Sequence, residues 1–436
     1  MVSMLHHPPM IQWELTADCN HDCIHCYNYW RKDKEQTESM SQPKSEEEYL
    51  KMARKIVDLR PVSVVLTGGE PLLVFSKIKS SIELLQQNLI MVSINTNATL
   101  LSEGMCLYLK ERGIHLFVSF PCVNTKVCDE ITNRRDSLFR IVAGLDLAKA
   151  NGISFSNNIV VSTKNLDYVK MTADFIVDRY NPSQISITRV GKPINSSEEF
   201  NQYMLSQKDV DKLLDICVRL HKKYPNLTIS TACPYTPCSI NSQEAFDLFG
   251  YNKVCTAGKT SFAIDTEGNF KACPRDSQTY GSIFETPFEE VYSATKEWRD
   301  GTFVPDTCKK CKELVNCLGG CRVDSFPFTG RMNALDCISH PENLPLRFKR
   351  EIKQEETEGK TFALQKENLI CVKEDEMIRL SRGQNYVTLT PQFYDFLITY
   401  GDGFTDELMA SVFKKDHDII KAAINRLLSG RIIRAV

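Results

Sequence analysis

Several features that mark particular protein classes are missing from this 436-residue sequence. With 53 Lys and Arg against 55 Asp and Glu, neither sign of charge is in excess, so the composition gives no general attraction to nucleic acid or anionic lipid. No run reaches the roughly 18 apolar residues of a spanning helix. The N-terminal MVSMLHHPPM lacks the basic and apolar regions of a signal peptide. We therefore expect a soluble, cytoplasmic protein without nucleic-acid or membrane partners.

Cysteine, by contrast, is abundant, with 17 residues. A chain of this length buries a full core without disulfide bonds. In a reducing compartment, clustered cysteines more often bind metal or take part in chemistry. Their spacing therefore carries the functional information.

Short β-branched runs alternate with helical stretches from residue 11 to about 190. This alternation predicts an α/β fold with a parallel sheet, and six such strands would form a partial (β/α)6 TIM-like barrel with its chemistry at the C-terminal strand ends. The predicted strands are 11–15, 62–67, 91–96, 115–120, 156–161 and 184–189. The predicted helices are 45–59, 81–89, 137–152, 168–180 and 206–224.

The pattern changes at about residue 230. Glycine, proline and cysteine separate short segments up to Cys337, which is typical of a small domain held together by metal. Residues 347–360 are rich in charge and read as a linker or solvated helix. The predicted domains are 1–230, 231–345 and 361–436.

The first cysteine motif stands directly after the first predicted strand. Cys19, Cys23 and Cys26 have the spacing C-x3-C-x2-C. Three thiolates can hold three irons of a cubane and leave the fourth iron open to another ligand. A structural zinc site completed by His21 or His25 is the alternative, although zinc normally takes four protein ligands.

The second predicted strand ends in TGGEP, residues 67–71. Glycines at such a position let the backbone approach a ligand closely. Glu70 would add a carboxylate at the same rim of the barrel, one βα unit after the cysteine loop.

Together these residues resemble the radical S-adenosylmethionine superfamily over about residues 9–230, also through INTNATL, VSFP and NIVV. The resemblance implies that the open iron binds S-adenosylmethionine, whose cleavage gives a 5′-deoxyadenosyl radical that abstracts hydrogen from the substrate. It also implies an external electron donor such as flavodoxin or ferredoxin. The implied cofactor contacts are Thr67, Gly68, Gly69 and Glu70 for the amino group and Ser119 and Arg134 for the carboxylate. His25 departs from the aromatic residue that the family often has before the third cysteine.

A second cysteine pattern follows downstream. It comprises Cys255, Cys273, Cys308, Cys311, Cys317, Cys321 and Cys337, with C-x2-C-x5-C-x3-C in its middle. Seven cysteines do not divide evenly among tetrahedral zinc sites, whereas seven plus one complete two 4Fe–4S cubanes. The pattern resembles the SPASM domain of peptide-modifying radical enzymes and brings the expected total to three 4Fe–4S clusters.

That resemblance also implies how the ligands are shared. The first auxiliary cluster would take Cys255, Cys273 and Cys321, and the second would take Cys308, Cys311, Cys317 and Cys337. For the eighth ligand, CPYTPC offers Cys233 and Cys238, of which Cys238 is nearer to Cys255 in sequence, and an open iron is a third possibility. Among the cysteines left over, Cys122 follows the fourth strand on the active face and is a candidate hydrogen donor.

The C-terminal segment predicts a winged helix–turn–helix, with three short strands, three helices and a last strand. Residues 361–436 contain ten Lys and Arg and ten Asp and Glu, without the basic stripe of a DNA reader. ENLICVKEDEMIRLSRGQNYVTLTPQFYDFL resembles the pyrroloquinoline-quinone chaperone type of precursor-recognition domain, which implies capture of a peptide at a strand edge. A packing or dimerisation role is the alternative.

The combined resemblance predicts a radical S-adenosylmethionine SPASM maturase. It would install a thioether or carbon–carbon cross-link in a ribosomally made precursor peptide whose leader binds the C-terminal domain. The rival enzymes are a formylglycine-forming enzyme like those that activate anaerobic sulfatases, and a peptide epimerase. The rival outside catalysis is an iron–sulfur redox-sensing DNA regulator.

Overall fold

The computed structural model describes residues 5–28, 44–250, 253–341, 357–366, 369–374, 377–382 and 385–436. The chain divides into two compact units, residues 1–348 and 349–436, which are described separately below. Most of the predicted charged linker at 347–360 lies outside the described residues. In the described part, no helix has the length and apolar character needed to cross a membrane.

The first unit is built on a nine-stranded sheet in the order β7-β6-β5-β4-β3-β2-β1-β8-β9. All neighbours are parallel except β8 and β9, which are antiparallel. The strands are β1 (Met10–Thr16), β2 (Ser63–Gly68), β3 (Met91–Thr96), β4 (His115–Ser119), β5 (Phe155–Val161), β6 (Gln184–Arg189), β7 (Thr228–Ser230), β8 (Ser261–Ile264) and β9 (Phe270–Lys271). The predicted α/β fold with a partial parallel barrel is confirmed.

Helices connect these strands and cover the sheet. They are α1 (Glu46–Asp58), α2 (Phe75–Gln87), α3 (Glu103–Glu111), α4 (Thr125–Thr132), α5 (Ser137–Ala150), α6 (Val169–Tyr180), α7 (Gln207–Lys223), α8 (Gln243–Phe249), α9 (Phe288–Ala294), α10 (Asp306–Lys309), α11 (Leu314–Cys317) and α12 (Arg322–Thr329). Helix α1 begins with a capping box, in which Ser45 and Glu48 each bond the other's backbone N–H. Its apolar face, with Tyr49 and Ile56, is buried against the sheet side.

Strand β1 is central because it is paired on both sides. Ile11, Trp13 and Leu15 are all buried, as expected for a strand inside a parallel sheet. Its second neighbour, β8, pairs from Met10–Ser261 onward and lies within the segment predicted as a separate second domain. The sheet therefore has three strands more than the six predicted, and the predicted boundary at residue 230 falls inside it.

The second unit has its own apolar core, which includes Phe362, Leu397, Phe404 and Ile424. Its strands are β10 (Phe362–Leu364), β11 (Leu369–Glu374), β12 (Met377–Arg382), β13 (Asn385–Leu389) and β14 (Ile433–Ala435), and its helices are α13 (Pro391–Tyr400), α14 (Asp406–Phe413) and α15 (His417–Ser429). Strands β11, β12 and β13 form an antiparallel meander, and β10 pairs with β14. The arrangement of three strands, three helices and a last strand is the predicted winged helix–turn–helix pattern, with β10 added.

Candidate active site

The first cysteine loop follows β1 directly and rests on the end of helix α4. The backbone N–H of Asp22 donates to the Thr132 carbonyl at 3.0 Å, and that of Ile24 donates to the Ile131 carbonyl at 2.9 Å. Three cysteines of the loop are partly exposed: Cys19, Cys23 and Cys26. The helix end thus fixes the loop and leaves its thiols accessible.

The two glycines of TGGEP bring the end of β2 against the chain that enters the cysteine loop. The Gly69 N–H donates to the Thr16 carbonyl at 2.6 Å. A Cβ at Gly69 would lie 1.9 Å from the Asp18 carbonyl oxygen, and one at Gly68, where φ is +119°, would lie 2.5 Å from that of Thr16. The sequence predicts that these glycines make room for a ligand. What they accommodate in the structure is the backbone of residues 16–18.

Glu70 links the ends of β2 and β3. Its Oε1 accepts hydrogen bonds from the Thr96 hydroxyl at 2.7 Å and the Leu72 N–H at 3.1 Å, and its Oε2 accepts one from the Asn97 N–H at 2.8 Å. Burial raises the pKa of this carboxyl, and the three donors oppose that shift. A carboxylate has about four acceptor positions, so three bonds leave room for one further donor.

Asparagines join the loops that follow the first three strands. Asn97 Nδ2 donates to Asn20 Oδ1 at 2.8 Å, and Asn20 Nδ2 donates to the Thr99 hydroxyl oxygen at 2.8 Å. Beyond the cysteines, Asn28 Nδ2 donates to the Gly68 carbonyl at 2.9 Å. The cysteine loop, TGGEP and the start of NATL therefore form one hydrogen-bonded edge at the C-terminal ends of β1, β2 and β3.

The predicted carboxylate contacts lie near this edge but outside its hydrogen-bond network. Ser119 is the last residue of β4 and is exposed. Arg134 is also exposed and comes two residues after Thr132, whose carbonyl holds the cysteine loop. Both side chains are accessible to a ligand at the strand ends.

Cys122 has the surroundings of a core residue. Its side chain is fully buried in the main apolar cluster, and burial raises the pKa of its thiol. The Asn124 N–H donates to its Sγ at 3.4 Å. Because a hydrogen donor must reach the substrate, this burial argues against the catalytic role predicted for Cys122.

One group of downstream cysteines surrounds Arg275. Its Nη1 lies 4.0 Å from Cys233 Sγ and 3.8 Å from Cys321 Sγ. A hydrogen bond from the Cys321 thiol lowers the pKa of Cys233. Cys255 and Cys273 interact electrostatically with each other, and burial raises the pKa of Cys273 to about 12. In the structure, the cysteine of CPYTPC that lies beside Cys321 is therefore Cys233. The sequence favours Cys238, because Cys238 is nearer to Cys255 along the chain.

A second group lines a partly open pocket. Its cysteines are Cys238, Cys308, Cys311 and Cys317, and the walls include Thr236, Leu314 and Ser339. Cys337, predicted to belong to this group, is exposed instead, with its Sγ 3.6 Å from Arg189 Nη1. Within the described residues, no three His, Cys, Asp or Glu side chains converge so as to hold a single metal ion. Thiols distributed around a cavity suit an iron–sulfur cluster, which receives each thiolate on a different iron.

Buried charges surround these cysteines, and sequence reasoning overlooked them. Arg189, at the end of β6, contacts Asp324 at 2.6 Å and Asp336 at 2.7 Å, and Arg275 also pairs with Asp324. The two aspartates lie close to Cys321 and Cys337 in sequence. The available signal was an arginine at the end of the otherwise uncharged strand QISITR.

A second buried pair lies inside the barrel. Lys271 Nζ contacts Glu14 Oε2 at 3.4 Å, and both side chains are almost completely buried. Burial, as the largest cause, raises the pKa of Glu14 to about 7, and Lys271 opposes the shift. Desolvation, as the largest cause, raises the pKa of the Tyr27 phenol, and the charge of Glu14 contributes to the shift. Tyr27 follows Cys26 in sequence, and its hydroxyl oxygen lies 3.5 Å from that of Thr67. A glutamate in the middle of the apolar run IQWEL was the overlooked sequence signal.

Comparisons with known proteins agree with this site. Residues 13–176 match the Radical SAM superfamily. The chain is 24% identical over 350 residues to the AdoMet-dependent heme synthase of Methanosarcina barkeri (76% of this chain, 95% of the relative). It is 21% identical over 345 residues to the PqqA peptide cyclase of Granulibacter bethesdensis (76% and 86%). Among solved structures, SuiB of Streptococcus suis bound to the precursor peptide SuiA matches with a TM-score of 0.59 and 19% identity, covering 77% of each chain.

The thiol loop and the glycine-rich turn beside it both lie within the residues that match the Radical SAM superfamily. The match to the Radical SAM superfamily covers more than a third of the chain.

Proposed function

We propose that this protein is a radical S-adenosylmethionine maturase that installs a thioether or carbon–carbon cross-link in a ribosomally made precursor peptide. The observation that carries the proposal is the hydrogen-bonded edge, which combines three accessible thiols with TGGEP and the end of β3. The chemistry of its donors suits a 4Fe–4S cluster with one open iron and the amino acid part of S-adenosylmethionine. When bound, that pair supplies a carbon-centred radical that removes hydrogen from the substrate.

The residues of this chain bind and orient the cofactors. Cys19, Cys23 and Cys26 hold the cluster, and the end of helix α4 keeps their loop in place. The remaining acceptor position of Glu70 takes the amino group, while Ser119 and Arg134 bind the carboxylate. Eight further cysteines would hold two auxiliary clusters, and the chemistry that such clusters supply is electron transfer.

A peptide substrate is supported by the names of relatives and by the second unit. The matching proteins include a peptide cyclase and SuiB with its precursor peptide. The meander β11-β12-β13 has two outer strands, and an extended leader can add to such an edge by backbone hydrogen bonds. Leader capture raises the effective concentration of the core peptide at the barrel.

The decisive experiment uses anaerobically reconstituted protein with dithionite, S-adenosylmethionine and candidate precursor peptides deuterated at carbon. We expect 5′-deoxyadenosine, with deuterium transferred from the true precursor. Cys19→Ala should form no 5′-deoxyadenosine. Cys371→Ala, which changes an exposed cysteine of the second unit, should form it in the absence of peptide as fast as wild type. Product from Cys19→Ala would refute the assignment of the cluster.

A second candidate is modification of a tetrapyrrole, because one relative that aligns over 95% of its own length is a heme synthase. The same assay distinguishes a peptide substrate from a tetrapyrrole substrate. A porphyrin that raises 5′-deoxyadenosine formation, with no deuterium arriving from any peptide, would favour the tetrapyrrole.

A further inference from the structure

The nine cysteines from Cys233 to Cys337 do not group as family topology implies. In the structure, Cys233 lies with Cys321 around Arg275, and Cys238 lies with Cys308, Cys311 and Cys317 around the second cavity. The two cysteines of CPYTPC therefore face different groups.

A short turn fixes Cys238 at the second cavity. It lies in the 3₁₀ turn Pro237–Ser239, and the Ser239 N–H donates to the Thr236 carbonyl at 2.9 Å. Thr236 in turn binds the later segment, since its hydroxyl oxygen lies 3.1 Å from that of Ser339. Its methyl group also packs beside Gly320, where an added Cβ would lie 2.8 Å away. The turn is thus held against the wall of the cavity.

Cys337 is held elsewhere. Its thiol is the neighbour of the Arg189 guanidinium, and Arg189 is anchored by both Asp324 and Asp336. Asp336 also accepts a hydrogen bond from the Cys321 N–H at 2.9 Å, and from the Ile338 N–H at 3.3 Å. These bonds fix the backbone on both sides of Cys337, which is exposed rather than in the cavity wall.

We propose that the second auxiliary cluster takes Cys238 as its fourth ligand in place of Cys337, and that Cys233 completes the first. The ligand sets are then Cys233, Cys255, Cys273 and Cys321 for the first cluster, and Cys238, Cys308, Cys311 and Cys317 for the second. This inference rests on the proposed function for the presence of auxiliary clusters.

The test uses full-length protein in which Cys19, Cys23 and Cys26 are all changed to alanine, so that only the auxiliary clusters remain. We expect about eight irons and eight sulfides per chain after reconstitution. Adding Cys238→Ala should remove about half of the iron, or give a three-iron electron paramagnetic resonance signal after oxidation. Adding Cys337→Ala should leave iron, sulfide and spectrum unchanged.

A second pair of variants, with serine in place of alanine, tests the same assignment with less risk of misfolding. Cys238→Ser keeps the size of the side chain and should retain iron with an altered spectrum of the reduced cluster, whereas Cys337→Ser should not alter it. The reverse pattern, with Cys337 variants losing iron and Cys238 variants unchanged, would overturn the assignment. Absence of iron and sulfide from the triple-alanine protein would instead show that the protein has no auxiliary clusters. That outcome is distinct from a wrong assignment of their ligands.

Discussion

At the scale of single residues, both carboxylate oxygens of Glu70 accept hydrogen bonds that join the ends of β2 and β3. In Glu70→Gln, one oxygen becomes an NH₂ group, which has no acceptor to offer the donors that converge there. Leaving a buried donor unpaired costs roughly 1–3 kcal/mol. We expect a lower melting temperature and weaker binding of S-adenosylmethionine, measured by thermal unfolding and equilibrium dialysis of reconstituted protein.

A matched control is Glu103→Gln, because Glu103 lies in the first turn of α3 and is exposed. It should change neither quantity measurably. Unchanged melting and unchanged cofactor affinity in Glu70→Gln would show that the carboxylate neither ties β2 to β3 nor contacts the cofactor.

Glu14 predicts a pH dependence of stability. Its folded pKa of about 7 lies above the ordinary value of 4.5, so the folded state holds the proton over a window in which the unfolded state has lost it. The free energy of unfolding contributed by Glu14 therefore falls as pH rises through that window. Glu14→Gln lacks this titration, so its stability relative to wild type should rise by about 1 kcal/mol between pH 6 and pH 8.

The measurement is the difference in unfolding free energy between Glu14→Gln and wild type at each pH, because other titrations then cancel. Lys271 keeps its hydrogen bond to the Pro274 carbonyl in the variant. A flat difference from pH 6 to pH 8 would contradict the raised pKa of Glu14.

At the scale of elements, the close crossing of β2 and the cysteine loop predicts a sharp effect of one methyl group. Gly69→Ala would place Cβ against the Asp18 carbonyl, where backbone has to move. We expect the cysteine loop to shift and the reconstituted protein to lose about four irons, those of the cluster at Cys19, Cys23 and Cys26. Gly104→Ala, in helix α3 with open space around its Cβ position, is the control and should keep the iron.

Strand and helix positions were predictable where a regular pattern was strong. The sixth strand was predicted at 184–189 and is found there, and helix α1 differs from its prediction by one residue at each end. Strand β8 was not predicted because four residues in a cysteine-rich segment carry little periodicity, and its partner β1 lies about 250 residues earlier. Only tertiary pairing identifies it.

Some residues of the candidate site were also predictable from the sequence, and others were not. The spacing of the cysteines predicted that they are candidate ligands, because thiol ligands of one site often stand close together in sequence. The partners of those thiols could not be predicted, since Arg189, Glu14 and Lys271 come from distant strands and meet only in the folded sheet. For the same reason, sequence distance favoured Cys238 over Cys233 as the partner of Cys321.

At the scale of the whole molecule, each unit has its own apolar core, built from its own residues. A chain that ends at residue 348 should cleave S-adenosylmethionine without peptide as fast as the full chain. Its affinity for the precursor identified by deuterium transfer should fall at least tenfold, a loss of about 1.4 kcal/mol. Equal affinity of the two proteins, measured by fluorescence anisotropy, would remove leader capture from the second unit.

The return of the chain to pair β8 with β1 also has a consequence for synthesis. Until residues 261–264 have left the ribosome, one side of β1 has no strand beside it, although Cys19, Cys23 and Cys26 were made long before. An open edge of this kind pairs readily with other chains. The cell must therefore keep the nascent barrel from aggregating while more than half of the protein is translated, and a chain cut at residue 230 would keep that edge permanently.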